Sequence, residues 1–256
     1  MFWRTKQPKL VFIHVPKTGG SSVSRSLERA YRFSRFHVKA GASWRAARTM
    51  TDALPASQEF ERTMQSLRSG LMVYAADGGV RFLTGHVWYT KAVRRLRDEG
   101  YLIMTCLRDP VDRLISHYLY NRFTENTHVA IDVDIDDFLS SERARQLATI
   151  YARYLSGGRE GNDYTSADAI AEARAGLESM DHVGVLDDLD GFLRKAGQII
   201  GVRLKSFHRR KSPALGREEY RIRRSAEVRA RAAALCSADT EIYEHAQKLA
   251  SRAQER

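Results

Sequence analysis

Apolar residues form three continuous runs along the chain, at residues 9–15 (KLVFIHV), 101–107 (YLIMTCL) and 181–186 (DHVGVL). Each run is short, and each predicts a buried strand. A DGG turn separates two shorter apolar segments, which predict further strands at residues 71–74 and 80–84. Strands that lack an exposed polar face are typical of a parallel sheet.

Between the strands, apolar residues recur at the spacing of a helix. Val23, Leu27 and Ala30 form such a stripe after the first run, and Pro110 stands in the first turn of a helix after the second run. The same periodicity predicts helices at residues 43–69 with a break at Pro55, 91–99, 141–155, 167–179, 187–200 and from 218 onward, with a loop at 124–137. This alternation predicts an α/β fold, a P-loop-like parallel sheet flanked by helices, in a single domain spanning residues 1–256.

The segment between the first strand and the first helix, PKTGGSS, predicts a site for an oxyanion. Glycine lets the backbone approach a ligand closely, and serine is typical of helix N-caps. The N–H groups at a helix start bind anions, and a lysine adds a full positive charge beside them. The candidate residues are Lys17, Thr18, Gly19, Gly20, Ser21 and Ser22. A phosphate or sulfate group is expected there.

The order of these residues differs from that of the nucleotide-binding P-loop, G-x-x-x-x-G-K-[ST], because Lys17 precedes both glycines. A plain Gly-Gly turn capped by serine is the alternative interpretation. The direct succession of strand, loop and amphipathic helix favours the anion site.

A second candidate anion site follows the second strand. Arg108 ends this strand, where ligands bind in parallel sheets. A guanidinium group matches the geometry of a phosphate, and Ser116 lies about two helical turns further on, within reach of the same group. The alternative is an ion pair between Arg108 and an acid such as Asp112.

The segment FLTGHVWY contributes a candidate base, His86, which follows a glycine at the end of a predicted strand. Histidine is the natural base for a hydroxyl group near neutral pH. The alternative is a structural histidine with satisfied hydrogen bonds. His14 is the weaker candidate, because strand residues that precede such a loop usually face the core.

Composition limits the classes of protein that remain. The chain has 256 residues, of which 43% are hydrophobic, enough for a globular core. No apolar run approaches the ~18 residues of a membrane span, and residues 1–9 lack the apolar stretch of a signal peptide, so a soluble, cytoplasmic protein is expected. The two cysteines, Cys106 and Cys236, fit a reducing compartment, and no Cys/His cluster has zinc spacing.

The net charge of +11 predicts attraction to anionic partners. Residues 203–231 carry eleven Lys or Arg against three Glu, including the cluster His208-Arg209-Arg210-Lys211. We expect this basic segment to help hold an anionic acceptor or a nucleotide, and a solvated basic helix is the alternative. No aromatic-rich platform accompanies the charge, so a specific nucleic-acid partner is not expected.

Two of these segments resemble a known family. HVPKTGGSS is similar to the 5′-phosphosulfate loop of sulfotransferases that use 3′-phosphoadenosine-5′-phosphosulfate (PAPS), in particular the carbohydrate branch that includes heparan sulfate 2-O-sulfotransferase. RDPVDRLISHY resembles the 3′-phosphate motif of the same family. The resemblance implies the sulfotransferase fold, with the 5′-phosphosulfate held by residues 17–22 and the 3′-phosphate by Arg108 and Ser116. Animal members of the family have a membrane anchor that this sequence does not show, so the chain resembles a soluble bacterial member.

The resemblance also implies that His86 is the catalytic base. The 2-O-sulfotransferase has His-Gly-His at this point, whereas this chain has Thr84-Gly85-His86 and retains only the second histidine. Weaker matches at residues 151–157, 181–197 and 240–246 extend the resemblance over nearly the whole chain.

The expected activity is therefore transfer of a sulfuryl group from PAPS to a hydroxyl of a carbohydrate or glycolipid acceptor. His86 takes the acceptor proton, Lys17 neutralises charge as the product 3′-phosphoadenosine-5′-phosphate (PAP) leaves, and no metal is required. One alternative is a Mg²⁺-dependent P-loop kinase with Asp109 as a metal ligand. The other is a non-catalytic protein that binds nucleotides or other anions.

Overall fold

The computed structural model describes residues 7–55, 57–123, 130–158, 163–205 and 216–255. Its sheet has five parallel strands in the order β2-β3-β1-β4-β5. The strands are β1 (Lys9–Ile13), β2 (Arg35–Val38), β3 (Phe82–Gly85), β4 (Tyr101–Leu107) and β5 (His182–Val185). The helices are α1 (Gly20–Ala30), α2 (Ala40–Met50), α3 (Gln58–Asp77), α4 (Lys91–Arg95), α5 (Pro110–Phe123), α6 (Ile135–Ser140), α7 (Glu142–Ala148), α8 (Ile150–Leu155), α9 (Ala167–Glu178), α10 (Leu189–Ile200), α11 (Arg217–Arg224), α12 (Ala226–Leu235) and α13 (Ser237–Glu255). The predicted α/β fold with a parallel sheet is confirmed.

The three continuous apolar runs form β1, β4 and β5, and the segment after the DGG turn forms β3. The strand predicted at residues 71–74 is wrong, because this segment is one turn within the twenty-residue helix α3. A run of four apolar residues fits a helix and a strand equally well. The edge strand β2 was not predicted. Its arginine and histidine alternate with apolar residues, but over only four positions, which is too short for a clear strand pattern.

Near the middle of the sheet, the connections that leave neighbouring strands run in opposite directions. Strand β1 pairs with β3 on one side and β4 on the other, so that Ile13 is level with both Gly85 and Thr105. The chain leaves β1 through α1 toward β2, whereas it leaves β3 through α4 in the opposite direction to β4. The carboxyl ends of β1 and β3 therefore form a topological switch point, where ligands bind in such sheets.

Helices cover both faces of the sheet. Helices α1 and α10 bury one face together with Leu10 and Phe12 of β1. Helices α3, α4, α8, α9 and α13 bury the other face together with Val11 and Ile13. Because alternate β1 side chains enter opposite cores, the strand is apolar at every position from Leu10 to Ile13, as its sequence predicted.

The helix predicted at residues 141–155 is divided into α7 and α8 by Thr149. The buried carboxylate of Asp239 accepts hydrogen bonds from the N–H groups of Tyr151 and Ala152 at the start of α8. Burial raises the pKa of Asp239 to about 7, while the charge of the buried Arg113 opposes this shift. The break therefore provides an N-terminus that holds α8 on α13.

Cys106 and Cys236 are both buried and free. Across the described ranges, we find no helix that combines the length and the apolar character needed to cross a membrane.

Candidate active site

The loop after β1 is a tight turn with two residues in the left-handed backbone region. Lys17 has φ 68°, the one positive φ at a non-glycine position in the described chain, and Gly19 has φ 75°. Helix α1 begins at Gly20 with Gly19 as its N-cap and without a side-chain cap, so the predicted capping by Ser21 or Ser22 is wrong. Both serines lie in the first turn of α1, and the N–H of Ser22 donates to the Gly19 carbonyl at 2.9 Å.

The two glycines of this loop serve different needs. Gly19 has a left-handed backbone, which other residues rarely adopt. A Cβ atom on Gly20 would overlap the imidazole of His14. The buried Thr18 hydroxyl donates to the Val15 carbonyl at 2.9 Å and closes the loop on its own strand. The loop is therefore held in shape by local packing, and α1, which follows it, packs on one face of the sheet.

The side chain of Lys17 lies against α5. Its Nζ atom is 3.6 Å from the centre of the Tyr120 ring, and Tyr120 is half-exposed. A cation over an aromatic face is stabilised by the ring electrons. Tyr120 thus fixes the lysine charge near the mouth of the loop, a contact that the sequence analysis did not predict.

Arg108 follows β4, next to the loop after β1. Its N–H donates to the Tyr151 hydroxyl oxygen at 3.0 Å, and that hydroxyl donates to the Arg108 carbonyl. Tyr151 lies in the YARYLSG segment, so this weaker sequence match marks a residue that holds the Arg108 backbone. No single-residue signal in the sequence identified Tyr151 as that partner.

The ion pair between Arg108 and Asp112 is long. Their closest atoms, Nη2 and Oδ2, are 3.9 Å apart, whereas Asp112 lies 2.8 Å from Arg229. Burial lowers the pKa of the Arg108 guanidinium, Asp112 raises it and the nearby charge of Arg223 lowers it further. A bound dianion would stabilise the charged form of Arg108. The ion pair with Asp112 neutralises the charge of Arg108 only in part, because the contact is long and Asp112 is shared with Arg229.

Helix α5 brings two other groups to this side of the sheet. Ser116 and His117 both lie on α5 and are partly exposed. Burial, followed by the charges of Arg113 and Lys17, lowers the pKa of His117 to about 3, so this imidazole is neutral at pH 7. Sequence analysis missed His117, although its place directly after Ser116 in the RDPVDRLISHY motif was a usable signal. The carboxylate of Asp109 accepts from the N–H of Asp112 at 2.8 Å and caps α5.

His86 stands at the carboxyl end of β3, at the switch point. Its Nδ1 atom is 2.7 Å from the carbonyl oxygen of His14. A carbonyl only accepts, so Nδ1 carries the proton and the lone pair of neutral His86 is on Nε2. Burial lowers the pKa of His86 to about 4, with smaller contributions from the hydrogen bond to His14, which raises it, and from the charges of Arg68, His37 and Lys17. The ring is neutral at pH 7 and can accept a proton at Nε2.

Three polar residues on the buried face of α3 hold the segment that carries His86. Arg68 donates to the His86 carbonyl at 2.8 Å and to the Ser43 hydroxyl at 2.8 Å. Gln65 accepts from the Trp88 N–H at 3.1 Å, and Ser69 accepts from the Thr90 hydroxyl at 3.2 Å. Polar residues on the apolar stripe of a helix were the sequence signal for this support, and the sequence analysis missed it.

His14 is buried, as predicted, but it also reaches the site. The centre of its ring is 4.4 Å from the centre of the His86 ring, and its side chain is 7% exposed. The loop residues, His86 and Arg108 therefore meet along the carboxyl ends of three neighbouring strands, β3, β1 and β4.

Within the described residues, part of the basic segment makes internal ion pairs. Arg223 pairs with Glu219 at 3.3 Å, and Arg229 pairs with Asp112 at 2.8 Å. Arg231 pairs with Asp136. The first pair lies within α11, and the other two join α12 to α5 and α6. The cluster His208-Arg209-Arg210-Lys211 lies outside the described residues.

In a comparison with protein families, the sequence model of the sulfotransferase family matches residues 1–156. The matched part begins before β1 and ends after α8, so it contains the loop, His86, Arg108, Ser116 and Tyr151. No curated protein matches the chain.

Proposed function

Since the chain belongs to the sulfotransferase family, we propose that it transfers a sulfuryl group from PAPS to a hydroxyl group of a carbohydrate-containing acceptor. Members of this family generally use PAPS as the donor. The observation that carries the proposal is that three groups lie at the carboxyl ends of neighbouring strands: the loop with Lys17 after β1, the neutral imidazole of His86 after β3 and the guanidinium of Arg108 after β4. The whole chain acts as one catalytic domain.

The donor has two anionic ends, and the chain offers two cationic positions for them. The loop from Lys17 to Ser22 holds the 5′-phosphosulfate with backbone N–H groups and the lysine charge. Arg108 and Ser116 hold the 3′-phosphate. The long contact between Arg108 and Asp112 supports this role, since the guanidinium retains donors for a ligand.

The chemistry is an in-line displacement at sulfur. The acceptor oxygen forms a bond to sulfur while the bond from sulfur to the bridging oxygen of the donor breaks. His86 takes the acceptor proton at Nε2, and Lys17 neutralises the charge that develops on the bridging oxygen as PAP leaves. Positioning and electrostatics supply most of the acceleration in such transfers. The sulfuryl group carries less charge than a phosphoryl group, so no metal ion is required in this mechanism.

The first prediction tests donor recognition. PAP at ~100 times its Kd is expected to stabilise the protein by about 2.7 kcal/mol, or about 5–10 °C in Tm, and adenosine 5′-phosphosulfate and ATP are expected to stabilise it less. The reason is that only PAP carries both the 5′- and the 3′-phosphate. Thermal unfolding with each ligand at equal concentration measures the difference.

Substitution of Arg108 sharpens this test. Arg108→Ala should bring the PAP shift down to that of adenosine 5′-phosphosulfate, whereas Arg95→Ala removes an exposed arginine of α4 and should leave the order of ligands unchanged. Equal shifts for PAP and adenosine 5′-phosphosulfate in the wild type would show that there is no 3′-phosphate site. A larger shift with ATP and Mg²⁺ would favour the kinase alternative, and PAP binding without transfer to any glycan, lipid or phenolic acceptor would favour a non-catalytic binding protein.

A further inference from the structure

We propose that His14 is a positioning residue, whose buried ring sets the distance between His86 and the loop that binds the donor. This inference rests on the proposed sulfuryl transfer. It assigns to His14 a task different from that of a base: its ring acts through its shape and place, and His86 carries out the chemistry.

The main chain of His14 is bonded to the end of β3. Its N–H donates to the Gly85 carbonyl at 3.2 Å, and its carbonyl accepts from Nδ1 of His86 at 2.7 Å. The second bond fixes both the tautomer and one edge of the His86 ring. Because these contacts use backbone atoms, any residue except proline can make them at position 14, and the specific contribution of histidine must come from its side chain.

The ring of His14 lies between two parts of the site. On one side, its centre is 4.4 Å from that of His86, with the ring planes inclined at 47°. On the other side, its Cδ2 and Nε2 atoms occupy the space that a Cβ atom on Gly20 would need. Gly20 is the first residue of α1, where the proposed anion site begins. The His14 ring therefore separates the start of α1 from the base, and both neighbours lie directly against it.

The environment of His14 favours a spacer over a proton carrier. Burial, then the charges of His86 and His37, lowers its pKa well below the usual 6.5, so the ring is neutral. Its Nδ1 atom has no hydrogen-bond partner within the described part of the chain. The charged or titratable groups that act on the neighbouring His86 come from α3 (Arg68), β2 (His37) and the loop (Lys17).

A spacer at this point matters because transfer requires alignment. A displacement of about 1 Å between reacting groups can lower the rate about 10²-fold. Removal of the His14 ring leaves space beside both His86 and Gly20, so the base can shift relative to the donor. The loss should appear in kcat, because the N–H groups and the charge that bind PAP remain in place.

The decisive experiment is a double-mutant cycle with His14→Ala and His86→Ala, using radiolabelled PAPS to follow slow transfer. We expect His14→Ala to lower kcat about 10- to 100-fold in the wild type and by no more than about 3-fold in His86→Ala, since the ring acts through the base. The Kd for PAP should stay within about 3-fold of wild type. If the alanine variant does not fold, His14→Leu keeps the space filled with a different shape and takes its place in the cycle.

His182→Ala is the matched control. His182 is also buried, with its ring stacked on Phe192 at 4.6 Å, but it lies at the start of β5, away from the carboxyl ends. This variant should lose stability without loss of kcat. Equal losses from His14→Ala in both backgrounds would overturn the proposal, and so would a rise in the Kd for PAP that matches the fall in kcat.

A readout that does not need transfer separates this inference from the proposed function. In NMR spectra of the imidazole nitrogens, His14→Ala should shift the His86 resonances, while His182→Ala should leave them in place. Unchanged His86 resonances in His14→Ala would overturn the positioning role proposed for His14. Failure of the wild-type protein to bind PAP or transfer a sulfuryl group would instead overturn the proposed function.

Discussion

Replacement of His86 by alanine is expected to lower kcat about 10²- to 10⁴-fold and to leave the Kd for PAP within about 3-fold of the wild-type value. The loss follows from the geometry of the imidazole. Its Nδ1 proton is held by the His14 carbonyl, so Nε2 is free of a proton and accepts one from the acceptor hydroxyl. PAP affinity is retained because Lys17, Arg108 and the backbone of the loop are unchanged. Steady-state transfer and PAP titration by calorimetry measure the two quantities.

His245→Ala provides the control for this variant. His245 lies on α13 and is paired with Glu178 at 3.0 Å, and α13 is not one of the elements that form the site. Its removal should leave kcat unchanged. Near-wild-type kcat in His86→Ala would contradict the base assignment and would direct attention to His117, His14 or an acidic residue.

The pH dependence gives a second test of His86. With a pKa of about 4, the base of the free enzyme is neutral above that pH and becomes protonated below it. The value of kcat/KM should therefore be independent of this group from pH 6 upward and fall about tenfold per pH unit below pH 4. Bound donor adds negative charge and favours the imidazolium, so the acidic limb of kcat should lie at higher pH than that of kcat/KM. If kcat/KM of His86→Ala still falls at low pH, the fall is caused by the titration of another group.

Replacement of Lys17 by alanine is expected to reduce both transfer and donor binding. Loss of a group that stabilises developing charge typically costs about 10²- to 10³-fold in kcat. Loss of a charge-assisted contact with the 5′-phosphate should also raise the Kd for PAP about 10- to 100-fold. This joint effect distinguishes Lys17 from His86, whose removal should affect the rate alone.

The backbone of Lys17 does not complicate this substitution. Its φ of 68° disfavours alanine and lysine alike, since both carry a Cβ atom. Lys91→Ala removes an exposed lysine of α4 and controls for the change in net charge. If Lys17→Ala keeps the wild-type Kd for PAP, Lys17 acts only on the leaving group, and unchanged kcat would contradict its catalytic assignment altogether.

The elements that carry the site follow from local patterns in the sequence. Continuous apolar runs predict β1 and β4 because a strand covered on both faces has no polar side. Gly19 and Gly20 predict the tight loop, because glycine tolerates a left-handed backbone and a neighbour where other residues carry Cβ, and Lys17 was identified by its charge. A parallel sheet then brings the ends of both strands to one edge, so the nearness of this loop to Arg108 could be predicted without a structure.

The tertiary structure alone decided how the site is supported. The contact between His14 and His86 joins residues 72 positions apart, and it depends on the register between β1 and β3. Arg68 reaches the His86 carbonyl, and Tyr151 holds the Arg108 backbone from 43 positions away. The hydrophobicity of residues and their periodicity are local properties of a sequence, so they determine which segments become strands and helices. Long-range polar contacts depend on the packing of whole elements, and no local pattern specifies which two side chains meet.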